Sequence, residues 1–326
     1  MSDKLKFGMI GTNFISHTMA EAIAESGTAE IHAVYSRKME TGVAFAEKYG
    51  VPAERVYTTL EEIADSGIDA MYIASPNKFH CEQSLFFLRR GIHVLIEKPA
   101  GADAAEYEEM CRVARENGVV LMEGMRQAHD PAWQTICDAL PEIGKIRHAA
   151  FEFCQYSSRY DRHKAGEHTN TFDRTFANAS MLDIGVYPLH CLVMLFGEPK
   201  SVQANSVFLE NGFEGCGEIT LAYDGFTASA LYSKIYDSPR PSAIYGEDGT
   251  IIINKLSVPA WATVNIRGKE PVNLPIVGKE NNMVYEVRDF VELVRDGAVY
   301  HPYIDTTAVV MRIMDEARRI AGVEFE

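Results

Sequence analysis

The first 125 residues alternate short apolar runs with helical stretches, and this alternation limits the possible folds more than any other feature of the chain. Lys6-Phe7-Gly8-Met9-Ile10, Ile31-His32-Ala33-Val34-Tyr35, Val56-Tyr57, Ala70-Met71-Tyr72-Ile73-Ala74, His93-Val94-Leu95-Ile96 and Val119-Val120-Leu121-Met122 read as strands. Short runs with no polar face must be covered on both sides, which implies parallel pairing with helices above and below. Right-handed crossovers then give a doubly wound, Rossmann-like α/β sheet. The intervening helices carry their own punctuation. Phe14 to Ser26 places Phe14, Ile15, Met19, Ala22 and Ile23 on one side, and Gly27 closes it. Thr59 with Glu62, and Asp103 with Glu106, have capping-box spacing.

From Lys145 onward the pattern changes to long alternating runs: Arg147 to Tyr156, Ser201 to Leu209, Glu218 to Tyr223 and Thr227 to Ile235. Asp224-Gly225 and Asp248-Gly249 fall between such runs and predict hairpin turns. The expectation is a Rossmann domain over residues 1–125 and an α+β domain over 126–326. The second domain carries a large, mostly antiparallel open sheet and a helix near Tyr187 to Leu195. Two helices close the chain, near Val284 to Arg295 and Thr306 to Ala321, and a C-terminal helix is free to pack back on the first domain.

A net charge of −15 argues against nucleic acid and against anionic membrane surfaces as partners. No apolar stretch approaches the ~20 residues that span a bilayer. Met1-Ser2-Asp3-Lys4 lacks a charged-then-apolar leader, and the six cysteines are scattered without a C-x-x-C pair. A cytoplasmic protein with reduced thiols is expected. His163 and His168 bracket a loop but have no ligand set at metal spacing, so no metal is expected.

Strand, Gly11, helix is the geometry that places backbone N–H groups and a helix dipole against a pyrophosphate. Of the usual G-x-G-x-x-G, the run Gly11-Thr12-Asn13-Phe14-Ile15-Ser16 keeps only the first glycine. Asn13 takes the second glycine's place and tolerates the left-handed backbone better than most residues. The second strand ends in Ser36-Arg37-Lys38, where an NAD site offers a carboxylate to the ribose 2′-hydroxyl. A hydroxyl and a guanidinium fork there favour NADP(H) over NAD(H). The fifth strand runs into Glu97-Lys98-Pro99, which would deliver a cation to the sheet edge where open α/β folds bind ligands.

These segments together resemble the Gfo/Idh/MocA oxidoreductases. The resemblance rests on the Gly11 loop, Ser75-Pro76-Asn77 with His80, Glu97-Lys98-Pro99, Leu121-Met122-Glu123-Gly124-Met125, and Asp183-Ile184-Gly185-Val186-Tyr187. It implies Lys98 beside nicotinamide and substrate, Asp183 and Tyr187 as second-domain site residues, and His190 facing the substrate. It implies a cofactor shell of Gly11, Thr12, Asn13, Phe14, Ile15, Ser36, Arg37, Ser75, Asn77, His80, Glu97, Lys98 and Arg126. It also implies a homodimer or homotetramer built through the second-domain sheet. Asn178 and Ala179 replace a pair of glycines common before the Asp motif, so the substrate is left open.

The chemistry follows from residue type. Oxidising a carbinol needs a group to take the hydroxyl proton, and Tyr187 is a candidate. A nearby ammonium favours phenolate and stabilises an alkoxide, roles open to Lys98. The expected activity is hydride transfer between NADP(H) and a sugar, polyol, cyclic diol or related small carbonyl compound. The other class is an NADP(H)-binding sensor or regulatory protein without turnover, and a turnover assay separates the two.

Overall fold

Apolar runs too short to cover one another pair side by side beneath helices. The computed structural model describes residues 4–325; the leader reading of Met1-Ser2-Asp3 lies outside them. Strands β1 (Leu5–Ile10), β2 (Ala29–Tyr35), β3 (Val56–Tyr57), β4 (Ala70–Ile73), β5 (His93–Glu97) and β6 (Leu121–Gly124) form a parallel sheet ordered β3-β2-β1-β4-β5-β6. That is the Rossmann order, with its direction reversing between β1 and β4.

Helices α1 (Phe14–Ser26), α2 (Met39–Lys48), α3 (Leu60–Ala64), α4 (His80–Leu88) and α5 (Ala104–Glu116) make the crossovers. Both capping boxes form their N-cap bond: the Glu62 amide donates to Thr59 Oγ1 at 3.3 Å, and the Glu106 amide to Asp103 Oδ1 at 2.9 Å. Two local expectations fail. Phe14 does not join the apolar side of α1, being 81% exposed. The sixth strand starts at Leu121, not Val119, because the Val119 amide turns back to the Ala114 carbonyl and closes α5 beside left-handed Gly118.

The second sheet contains β7 (Ile146–Cys154), β8 (Ser201–Phe208), β9 (Glu214–Tyr223), β10 (Phe226–Ser233), β11 (Ser242–Gly246), β12 (Gly249–Ile253), β13 (Ala262–Ile266) and β14 (Val272–Asn273). Their order is β14-β13-β12-β11-β7-β10-β9-β8, and every pair is antiparallel except β7 with β10. Asp224-Gly225 makes the two-residue turn between β9 and β10, with Gly225 at φ 81°. Helices α6 (Pro131–Ala139), α7 (Tyr160–Lys164) and α8 (Val186–Phe196) accompany the sheet. Strands β13 and β14 and helix α7 were not legible, because they are short and carry no clear period. No helix among the described residues is long and apolar enough to cross a membrane.

The chain divides into two compact units. One holds the residues up to His129 together with Asn281–Asp305; the other holds Asp130–Glu280 and the residues from Thr306 on. The first unit is therefore discontinuous, which a boundary at 125/126 does not describe. Its late contribution is α9 (Met283–Asp296), followed by α10 (Pro302–Ala321), which continues into the second unit. Val284, Val287, Phe290 and Val291 on α9 are buried in one core with Phe7, Met19 and Ile23. The Phe7 and Phe290 rings lie 5.6 Å apart. Phe290→Ala should destabilise this unit by about 3–5 kcal/mol, the usual cost of emptying a buried aromatic site. Urea unfolding measures it, and a loss within experimental error would show that α9 is not part of the core.

Candidate active site

Parallel strands present their carboxyl ends at one edge, and the expected cofactor residues collect there. Gly11 follows β1, Ser36 and Arg37 follow β2, Ser75 and Asn77 follow β4, and Lys98 follows β5. Gly11 has φ 104°, and a Cβ there would stand 2.8 Å from the Ala74 carbonyl oxygen and 3.0 Å from Ser16 Oγ. Only glycine permits this approach of the two strand ends.

Asn13 does not take the left-handed backbone. Its φ is −90°, and it is the N-cap of α1: its Oδ1 accepts from the Ile15 amide at 3.1 Å and the Ser16 amide at 3.4 Å. The left-handed residue of the loop is Gly11. Thr12 and Ile15 are half-buried, and Phe14 is exposed at the start of the helix. Ser36 is turned inward, its hydroxyl 2.7 Å from Thr41 Oγ1 and 3.3 Å from the Lys38 amide that donates to it. Arg37 and Lys38 are exposed beside it.

His80 differs from the expectation of a cofactor-facing ring. It is buried, with Nδ1 2.8 Å from the Pro99 carbonyl and Nε2 2.8 Å from the Ser75 carbonyl. It braces the turn after β4 against the segment after Lys98. Burial, and to a lesser degree Lys98, hold its pKa below the ordinary value of 6.5, against the pull of the two carbonyls.

Carboxyl groups lie near Lys98: Glu97, expected in the cofactor shell, Glu123, and Glu286, which the sequence reading did not single out. Glu97 is buried and accepts from the Tyr72 hydroxyl at 2.6 Å. Glu123 is buried and accepts from the Ala100 amide at 2.9 Å, holding the turn that follows Lys98-Pro99. Arg126, half-buried, donates through Nε to Asn282 Oδ1. Glu286, on α9, is 0% exposed, and neither carboxyl oxygen has a hydrogen-bond partner among the described residues. Burial, then the nearby Glu97, pushes its pKa well above the usual 4.5, with Arg126 opposing. Burial likewise raises Glu97, opposed by the Tyr72 hydrogen bond and Lys98. Only its place on α9, a helix remote in sequence, brings Glu286 to this site.

In the second unit, Asp183 lies in a π-helical turn, Met181–Gly185, that leads into α8. The turn is tied to the sheet: the Met181 amide donates to Glu214 Oε2 at 2.9 Å, and the Ser180 hydroxyl to the Gly215 carbonyl at 2.8 Å. A Cβ on Gly185 would meet the Tyr232 ring at 2.9 Å, so this turn packs directly on β10. Asp183 Oδ2 accepts from Lys234 Nζ at 2.5 Å. Tyr187 is half-buried, its ring edge-on to Phe153 with centroids 5.0 Å apart. His190 is only 2% exposed, among the buried residues of α8, which does not suit a substrate-facing ring. Just before the replaced glycine pair, Ala177 takes the left-handed backbone at φ 52°, and Asn178 donates through its side-chain Nδ2 to the carbonyls of Asn170 and Thr171.

A cavity of ≈ 730 Å³ opens in the same unit, lined by Tyr160, His163, Thr169, Phe172, Arg174 and Asn211 among others. That volume suits a small molecule. The His163 and Phe172 rings stack 4.9 Å apart at 21°.

Glu286 generates a pH prediction. A carboxyl with a raised folded pKa keeps its proton while the unfolded chain loses its own, so folding is penalised as pH climbs from 4.5 towards the folded value. Glu286→Gln removes that penalty. Its melting temperature should match wild type near about pH 5 and exceed it by a growing margin towards about pH 8. A difference that stays flat with pH would contradict the assignment.

The profile described as "Oxidoreductase family, NAD-binding Rossmann fold" matches residues 5–125, and that of the GFO/IDH/MocA C-terminal domain matches residues 140–252. The chain is 41% identical over 322 residues to the uncharacterized oxidoreductase YgjR of Escherichia coli, covering 98% of each. It is 39% identical over 324 residues to the scyllo-inositol 2-dehydrogenase (NADP(+)) of Bacillus subtilis, again covering 98% of each. In fold it matches a 3-ketoreductase from Actinomadura kijaniata, crystallised with NADP and TDP-benzene, at TM-score 0.88, 23% identity and 98% coverage of both chains. Two matched domains in series and full-length relatives near two-fifths identity leave one conclusion: the chain belongs to the Gfo/Idh/MocA family of NAD(P)-binding oxidoreductases.

Proposed function

We propose that this oxidoreductase transfers hydride between NADP(H) and a carbinol or carbonyl carbon of a polyol, sugar or cyclic diol. The observation that carries the reading is the carboxyl edge of the six-stranded sheet. There Gly11, Ser75-Pro76-Asn77 and Lys98 end three adjacent strands, β1, β4 and β5. Gly11 and the start of α1 receive the pyrophosphate. Arg37 and Lys38, exposed at the end of β2, receive the 2′-phosphate, and the run Ser36-Arg37-Lys38 contains no carboxylate to repel it. The name of the Bacillus subtilis relative supports both the cofactor and a cyclic polyol. A mouse relative, 29% identical over 337 residues, is named trans-1,2-dihydrobenzene-1,2-diol dehydrogenase.

The bound nicotinamide supplies the hydride exchange. Lys98 holds positive charge against the oxygen that becomes alkoxide. Tyr187 carries the hydroxyl proton, and Asp183 orients the reacting hydroxyl. Assembly of copies through the eight-stranded sheet belongs to the same reading, and light scattering measures it.

Two experiments test the proposal. Arg37→Ala should weaken NADPH by about 1.5–3 kcal/mol, the scale of a hydrogen bond to a charged group, and leave NADH nearly unchanged. Equal losses for both cofactors in fluorescence titrations would remove the 2′-phosphate assignment. The second uses NADP⁺ reduction with scyllo-inositol, trans-cyclohexanediol and aldoses. Tyr187→Phe should lower kcat by about 10²–10⁴-fold, the usual general acid–base contribution. Lys98→Met should lower kcat steeply while NADPH binding is largely retained. Near-normal turnover in Tyr187→Phe would remove Tyr187 as the proton carrier.

A further inference from the structure

Lys234 follows β10, and its backbone is fixed on both sides. Its amide donates to the Gly215 carbonyl at 3.0 Å, and its carbonyl accepts from the Ser157 amide at 2.9 Å. The preceding Ser233 hydroxyl accepts from the amides of Ile235 and Tyr236, both at 3.0 Å, so the chain turns sharply at this point. The side chain points inward. Its ammonium lies 5.4 Å from the centre of the Phe172 ring and 5.7 Å from that of Phe213, and it donates to the Thr171 carbonyl at 3.2 Å. It reaches Asp183 Oδ2 at 2.5 Å.

The two partners are unequal. The Lys234 side chain is 3% exposed, whereas the Asp183 side chain is 34% exposed. Burying an ammonium costs several kcal/mol, and a carboxylate partner recovers this only with good geometry. An ion pair serving stability alone is often replaceable by apolar residues at no loss. Here the cation is fully enclosed, and the carboxylate stands at the rim with part of its surface open. Cation–π contacts and a carbonyl hold the ammonium from below. One carboxylate oxygen is thereby committed, and the rotamer of Asp183 is set, before any substrate arrives.

We propose that Lys234 is a positioning residue, whose buried ammonium fixes the orientation and the charge of Asp183 for the reaction. The inference rests on the reading in which Asp183 and Tyr187 serve the substrate. Tyr187 lies four residues after Asp183 along the same helical run. A free carboxylate beside it would oppose phenolate, and the Lys234 charge compensates that effect. Phe172, one of the rings that seat Lys234, also lines the 730 Å³ cavity.

The test is steady-state kinetics on the full chain, with the member of the polyol, diol and aldose panel that wild type turns over fastest. Lys234→Met should lower kcat by about 10–100-fold, the scale on which supporting partners of site residues act, with NADPH affinity unchanged. Lys234→Arg keeps the charge at a different reach and should recover most of that loss. In an Asp183→Asn background, Lys234→Met should cost no more than about twofold further, because residues acting as one unit are not additive. A full Lys234→Met penalty in that background would overturn the inference, as would kcat within about twofold of wild type in the single variant. If Lys234→Met does not fold, Lys234→Arg carries the test. It should then lower kcat in the wild-type background and leave kcat unchanged in the Asp183→Asn background, and equal effects in both backgrounds would overturn the inference. If Asp183→Asn and Tyr187→Phe keep full turnover, the functional reading fails. If they lose turnover and Lys234→Met does not, only the present inference fails.

Discussion

The close approach of β1 and β4 at their carboxyl ends is the constraint on which the first unit depends. The two strands belong to opposite halves of the doubly wound sheet, and their loops separate there to leave a crevice. Gly11 lets the backbone reach within van der Waals distance of the Ala74 carbonyl, and Asn13 binds the same carbonyl through Nδ2 at 3.3 Å. A single loop thus packs on the neighbouring strand and starts a helix whose Ile15 and Ser16 amides it caps itself. Asn13 accomplishes by capping what a second glycine accomplishes by flexibility. The incomplete glycine pattern is therefore a different solution to one geometric demand.

Charge is handled alike in both units. A less buried charged side chain is backed by a buried ionisable group. Glu97, Glu123 and Glu286 underlie the segment around Lys98, and burial raises the pKa of Glu97 and Glu286. Lys234 underlies Asp183. Buried groups of this kind cost stability and persist only where the surrounding fold over-determines them.

Much of this was legible in the sequence, for definite reasons. The parallel sheet followed from apolar runs bounded by caps and glycines, and α1 spans Phe14–Ser26 as the caps indicate. The Asp224-Gly225 turn followed from its flanking alternation. What escaped notice has two physical origins. Side-chain direction at element ends depends on backbone torsions that residue type does not specify, so the cap made by Asn13, the exposure of Phe14 and the inward bonds of Ser36 and His80 were not legible. Long-range support cannot be inferred from spacing: Glu286 comes to the neighbourhood of Glu97 from a helix that starts at residue 283, and Lys234 reaches Asp183 from just past the end of β10. A lone Lys in the run Leu231-Tyr232-Ser233-Lys234-Ile235, among residues that bury, was the one available hint.

The discontinuity of the first unit has a consequence for synthesis. A ribosome releases β1 to β6 early, but the helix that seals their shared core is encoded some 150 residues later, after the whole eight-stranded sheet. The nascent nucleotide-binding half must wait, with the apolar flank of α1 unsealed, while its successor emerges and begins to fold. For the same reason the gene has no single cut that liberates a finished cofactor-binding module. Exchange of this half between relatives requires three crossovers, near codons 130, 280 and 305.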